Sequence, residues 1–317
     1  MIDVYDVYST EVHRDMRKLQ EMLVKLDYTL KLKTHIEKHG IDNTFLQLYE
    51  PNQLSAAFNV ALPGCEAWQY DDVNTKQLTA AMENFITELF KKAVTTIRSM
   101  QRSLCKAVLW LFDYLRYTKL KLEDYRDKIN SALEVNTSEY EGYSIKDSLD
   151  SLKIISIKDI RIVFEKIRSI IDTFLAGEPD LTSLNTQLRV FSSIVNNLSR
   201  LVDRMPRFKT VVVDTNKKEI LGVIDKTYLY VTEMLELEDN FNELSWTLNE
   251  ICEFWSNDTS VTMYSNGEYS VTRSQSNSYT KICISLECAL SEFEDAVTSH
   301  AKKAIKSVLN MCEAALS

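Results

Sequence analysis

The sequence predicts a mainly α protein, an elongated multi-helix bundle with one or two small β-hairpins. Three observations lead there. Only 6 Gly and 4 Pro stand among 317 residues, about 3% of the chain where ordinary usage gives roughly 12%. That scarcity excludes folds made of many tight turns and argues against glycine-rich phosphate loops. Apolar residues recur every three or four positions over long stretches, which is the period of a helix face. Where punctuation does occur it is sharp, at Gly40, at Pro63 and Gly64, and at Gly177 with Pro179. A 45% hydrophobic share over this length can fill one large core or two smaller ones.

Residues 1–39 read as the first helix. Val12, Met16, Leu19, Leu23, Leu26, Leu30 and Ile36 hold one stripe, and charged residues fill the other faces. Gly40 supplies the left-handed residue that closes it. A helix of that length, at ~1.5 Å per residue, outruns a compact core and calls for a second long helix beside it. Asp42 or Asn43 caps a short helix to residue 49, and Pro51 restarts the chain. Residues 51–73 lose their period around Leu62, Pro63 and Gly64, the composition of a linker or processing site.

A long amphipathic helix follows from about residue 74 to 117, with 119–133 its continuation or a short successor. Residues 136–144 are a polar break. Two helices at about 157–176 and 181–204 are parted by Gly177 and Pro179. The β-branched run Val211, Val212 and Val213 then turns over 214–218 toward Ile220 and Leu221, a hairpin near 208–221. A helix spans about 225–255. A second hairpin near 260–273 alternates around Asn266 and Gly267, both tolerant of positive φ. A final helix covers about 277–316. The chain thus divides into an N-terminal helical segment, 1–66, and a helical body with the hairpins, 67–317.

With 37 basic and 46 acidic residues the net charge is −9, which disfavours general coating of nucleic acid. The sign is uneven, however. Residues 91–121 carry eight bases against Asp113 alone, and residues 219–295 carry fifteen acids against Lys226, Arg273 and Lys281. Lys91, Lys92, Arg98, Arg102 and Lys106 lie opposite the apolar stripe, where they can meet phosphates or an acidic partner. The plainer alternative is a solvated face, or one docked on the acidic 219–295 region of the same or a neighbouring chain. Trp110, Tyr114 and Tyr117 read as core or interface aromatics rather than stacking platforms for bases.

Little in the sequence speaks for catalysis. The six cysteines form no CxxC pair, and no secretory leader or spanning apolar run of ~18 residues is visible. His35 and His39 have the i, i+4 spacing of paired metal ligands, but Ile36 stands where a metalloprotease places Glu. Solvated histidines in a last helical turn are the better reading. Carboxylates such as Glu236 with Glu238, and Glu292 with Glu294 and Asp295, read as helix-surface acidity. No cofactor, metal site or catalytic residue is expected.

Residues 8–20 (YSTEVHRDMRKLQ), 39–44 (HGIDNT) and 61–67 (ALPGCEA) together resemble the amino-terminal region of internal head, or virion structural, proteins of large tailed bacteriophages. The resemblance covers about the first 70 residues. It implies a helical segment that directs packing into the prohead core and is removed by a maturation protease, commonly after a Glu. Glu66 followed by Ala67 matches that use, although Gly64 stands where such proteases favour an apolar residue. The resulting expectation is a non-enzymatic protein of the virion interior, made in the host cytoplasm. Its partners would be other virion proteins, copies of itself or, non-specifically, DNA. The competing class is a helical host-interaction effector or a pore-forming-type bundle.

Overall fold

The computed structural model describes residues 4–41, 51–58, 72–175, 180–213, 216–244, 247, 261–264, 267–270 and 273–317. Helix α1 (Val4–His39) ends as its sequence demands: Gly40 sits at φ 69° and its N–H returns to the Ile36 carbonyl at 2.8 Å. Helix α2 (Pro51–Phe58) forms where the sequence reading saw only a restart. The short helix expected before residue 49 and the segment 59–71 lie outside the described residues.

Helix α3 (Asp72–Ser131) runs unbroken for 60 residues, so the stretch after 119 is its continuation. It spans about 90 Å. Its last turn is closed from a distance: the Lys217 ammonium donates to the carbonyls of Asn130 at 2.7 Å and Ala132 at 3.0 Å. These are carbonyls that a helix end leaves unpaired.

Strand β1 (Glu139–Gly142) arises from the supposed polar break, and helix α4 (Ile145–Ser151) follows it, with Ser144 accepting from the Asp147 N–H. Helix α5 (Ile157–Leu175) opens on a reciprocal cap. Ser156 donates from its N–H and its hydroxyl to the Asp159 carboxylate and accepts from the Asp159 N–H. Asp180 caps helix α6 (Leu181–Asp203) through the N–H groups of Thr182 and Ser183.

The expected hairpin at 208–221 does not form. Strand β2 (Lys209–Val212) pairs antiparallel with β1, from Glu139 opposite Val212 to Gly142 opposite Lys209. Helix α7 (Lys217–Leu235) takes up residues 219–221 instead. Asn216 caps it through the Glu219 N–H, and Ile220, Val223, Ile224 and Thr227 bury one face. As a helix the segment carries Ile220, Val223, Ile224 and Val231 into the main core, and such packing is what stabilises a helix in a protein. The chain turns at 236–237 and continues helical over 238–244.

The second hairpin is present. Strands β3 (Val261–Tyr264) and β4 (Gly267–Ser270) pair with Tyr264 opposite Gly267, leaving a two-residue connection, 265–266, outside the described residues. Helix α8 (Arg273–Leu316) completes the fold.

α8 is the axis of the bundle and is buried on nearly every side from residue 277 onward. α1 runs antiparallel to it, fixed by Ser9 to Asp295 and by the Asp27–Lys281 ion pair. α3 runs parallel to it, with Gln101 meeting Glu287 and Tyr125 meeting Glu313. Phe112, Phe164, Phe241 and Phe293 form an interlocked ring cluster from four parts of the chain, with centroids 4.9–6.1 Å apart. A smaller core lies at one end, where Leu32, Ile36, Leu54, Phe58, Leu78 and Met82 join α1, α2 and the start of α3. Val12, Leu19 and Leu26 of α1 belong to the main core. The first helix is therefore packed into the body along much of its length.

Candidate functional site

The basic residues read from the sequence lie on the outward face of α3. Lys91, Lys92, Arg98, Arg102 and Lys106 are all exposed. Lys91 pairs within its own helix to Glu88 at 3.0 Å. Lys106 places its ammonium over the Tyr8 ring of α1, 5.7 Å from the centroid. The face is not built by α3 alone. Ser103 donates to Glu11 of α1 at 2.7 Å, and Asp15 of α1 is bonded by Lys18 at 2.9 Å and by Ser99. Burial pushes the Asp15 pKa up, but the Lys18 and Ser99 hydrogen bonds outweigh it and hold the carboxyl below its ordinary value. Arg14 and Lys18, both exposed, pair with Asp15 where it meets Ser99, and so bring two further bases to the α1–α3 seam. The window 91–121 carried no sign of them, because they arrive through helix pairing.

The C-terminal half of the same helix behaves differently. Arg116 is bound by Glu238 and by Asp113, and the Glu238 hydrogen bond is the main cause of its raised pKa. Lys119 lies over the Tyr228 ring at 5.3 Å, Tyr228 donates to Glu123, and Arg126 meets Asp225 at 3.2 Å. One side of this half is docked on the acidic region of its own chain, one of the plainer alternatives, while Leu120, Asp124 and Asp127 stay exposed on another. The N-terminal half faces outward. Trp110 stacks on Tyr114 with centroids 5.1 Å apart and has Lys302 over its ring, so both serve the intramolecular packing. Tyr117 remains exposed.

Several groups that could do chemistry lie in paired or packed settings. Ser9, His13 and Asp295 meet on the α1–α8 seam, but the Ser9 hydroxyl donates to Asp295 at 2.8 Å, and His13 Nδ1 lies 2.7 Å from the Ser9 carbonyl. His13 Nδ1 also lies 3.3 Å from the Ser9 hydroxyl and its Nε2 3.4 Å from Asp295, so the hydroxyl proton is directed to the carboxylate rather than to the ring. Burial raises the Cys105 thiol, with Glu294 adding to it, and pushes Cys288 and Cys312 up to about 12, so these sulfurs stay protonated and poorly nucleophilic. The rings of His35 and His39 are 5.0 Å apart. Among the described residues no group of three His, Cys, Asp or Glu side chains could hold a metal ion, and no helix is long and apolar enough to cross a membrane.

Sequence reasoning missed the polar interior of α8. Glu294, taken for surface acidity, is 1% exposed. Glu287, Ser291, Glu294 and Thr298 follow one another at spacings of four, three and four, a polar stripe on a helix that is otherwise buried. That spacing was the available signal. His300 is also enclosed, its Nε2 donating to the Ser151 carbonyl at 2.7 Å and its Nδ1 facing the Tyr230 hydroxyl at 3.2 Å. The candidate cleavage pair, Glu66 and Ala67, lies outside the described residues. Comparison with protein-family models, with curated proteins and with solved structures finds no match.

Proposed function

We propose that the chain is a non-enzymatic structural protein that acts through helix–helix assembly, as an internal head component of a tailed phage particle. The observation that carries this is the division of α3. One side of its C-terminal half is committed to the chain's own acidic region, and its N-terminal half, with Lys91, Lys92, Arg98, Arg102 and Lys106, is offered outward beside α1. Such a surface suits recognition rather than turnover. Its partners are other virion proteins, further copies of the chain, or phosphates of packaged DNA met without sequence preference.

The likeness of residues 8–20, 39–44 and 61–67 to internal head proteins supports the particle assignment, with processing after Glu66. That junction falls between Phe58, the end of α2, and Asp72, the start of α3. A cut there leaves α3 to α8 in one piece. α1 would then be held by its packing and by contacts such as Ser103 to Glu11 and Lys33 to Glu83. The test is to quantify peptides of this chain in gradient-purified particles before and after genome ejection. Peptides enriched with the particle interior support the reading, and their absence from particles refutes it.

A further inference from the structure

The exposed stripe of α3 continues past its basic part. At spacings of three and four it reads Arg102, Lys106, Leu109, Asp113, Arg116, Leu120, Asp124 and Asp127, all exposed and all within one narrow arc of the helix. It is basic at one end and acidic at the other, and between them Leu109 and Leu120 flank Asp113 and Arg116, which pair with each other within the chain, Arg116 also reaching Glu238. Leu109 and Leu120 are 53% and 66% exposed, and Tyr117 beside them is 54% exposed. Large apolar side chains left in water along one line, between charges of opposite sign, have the layout of a helix–helix seam.

Resting on the assembly reading above, we propose that a second copy of this chain covers the stripe, its α3 lying antiparallel across the first. The sequence of the stripe is self-complementary in that direction. With a two-fold axis crossing α3 between residues 114 and 115, Leu109 meets Leu120 of the second copy and Asp113 meets Arg116. Arg102 then meets Asp127. Each contact occurs twice, as an isologous interface requires. A parallel arrangement would instead set the basic end on the basic end. The paired stretch from Arg102 to Asp127 is about 38 Å long. One helix pair buries less than a standard interface, so the dimer is weak alone and gains strength at the local concentrations of an assembly. The acidic end, Asp124 and Asp127, favours this occupant over a polyanion laid along the whole stripe, which that end would repel.

Sedimentation of the full chain over a wide concentration range tests this, together with Arg102→Glu, Asp127→Lys and the two combined. The wild-type chain should pass from monomer to dimer. Either single reversal places like charges opposite one another twice and should weaken the dimer about tenfold or more. The combined variant restores both pairs and should return the dimer to near its original strength. Far-UV circular dichroism confirms that these surface variants stay folded. A chain monomeric at every concentration overturns the proposal, as does a dimer indifferent to the reversals or one that the combined variant fails to rescue. Retention on duplex DNA that is lost with Arg102→Glu, in a chain that never dimerises, would assign the face to nucleic acid instead. A monomer still found inside particles would overturn the dimer and leave the assembly reading standing.

Discussion

Gln101 of α3 donates its side-chain amide to the Glu287 carboxyl of α8 at 3.0 Å, joining the longest helix to the central one where the acid is 1% exposed. Burial pushes the Glu287 pKa up to about 8, with the Gln101 bond working the other way. The ordinary value is 4.5, so between roughly these two pH values the folded chain keeps a proton that the unfolded chain has lost. Stability contributed by this site therefore falls as pH rises through the window, by up to ~1.4 kcal/mol per pH unit. Glu287→Gln keeps the hydrogen bond and removes the charge. Thermal melts should show the variant gaining stability over wild type as pH rises from 6.5 to 8; equal melting temperatures at pH 8 would refute the buried-acid assignment.

His300 runs the opposite way. Burial lowers its pKa to about 4, partly opposed by the hydrogen bond to Ser151. The ordinary value is 6.5, so the unfolded chain binds the extra proton as pH falls from about 6.5 to 4, and stability falls with it. In that range the His300 and Glu287 slopes partly offset each other. Tyr230→Phe should cost about 1 kcal/mol, equally at pH 5 and pH 7. His300→Asn should cost about 2–4 kcal/mol at pH 7 and clearly less at pH 5, because it removes the His300 contribution and leaves the opposing Glu287 one. Urea titrations at pH 5 and 7 decide, and a His300→Asn cost that is the same at both would count against this role.

Gly142 lies where β1 meets α8. A Cβ added there would come within 2.8 Å of the Ser307 hydroxyl and 2.8 Å of the Tyr140 ring, and Ser307 itself accepts the Tyr143 N–H at 2.8 Å. Gly142→Ala should therefore destabilise by about 1–3 kcal/mol. Ser307→Ala orphans the Tyr143 N–H and should cost about 1–3 kcal/mol. The double variant should lose clearly less than the sum, because the two sites share one contact. Strict additivity in chemical denaturation would show that the clash is relieved elsewhere.

Lys217 closes α3 by bonding to Asn130 and Ala132. Lys217→Met keeps the aliphatic stem and removes the charge. It should destabilise by about 1 kcal/mol, less at high salt. Hydrogen exchange should rise over the last turns of α3 before it rises elsewhere, and uniform exchange would contradict a local capping role.

The long helices were legible because each carries its own signal: an apolar stripe through Leu19 and Leu26, a glycine stop at Gly40, and an Asp180 cap. The second hairpin was legible from Asn266 and Gly267. What failed depended on residues far apart. β2 finds its partner at Glu139–Gly142, some seventy positions upstream, and no local pattern names that strand. The helix at Lys217–Leu235 could have been read from Asn216 and Glu219, whose spacing is that of a cap, but the valines before it drew attention to a strand. The basic residues of α3 were found because charge is visible in one segment. Arg14 and Lys18 were not, since their place beside Ser99 comes from the pairing of α1 with α3. The buried carboxyls of α8 escaped because acidity in sequence looks the same at a surface and in a core.

The intact mass of the protein recovered from mature particles bears on the whole reading. A mass matching residues 67–317 is the expected result and would establish cleavage after Glu66 during assembly. A mass of 36.6 kDa, the full chain, from the same particles would contradict processing and leave α1 a permanent part of the bundle.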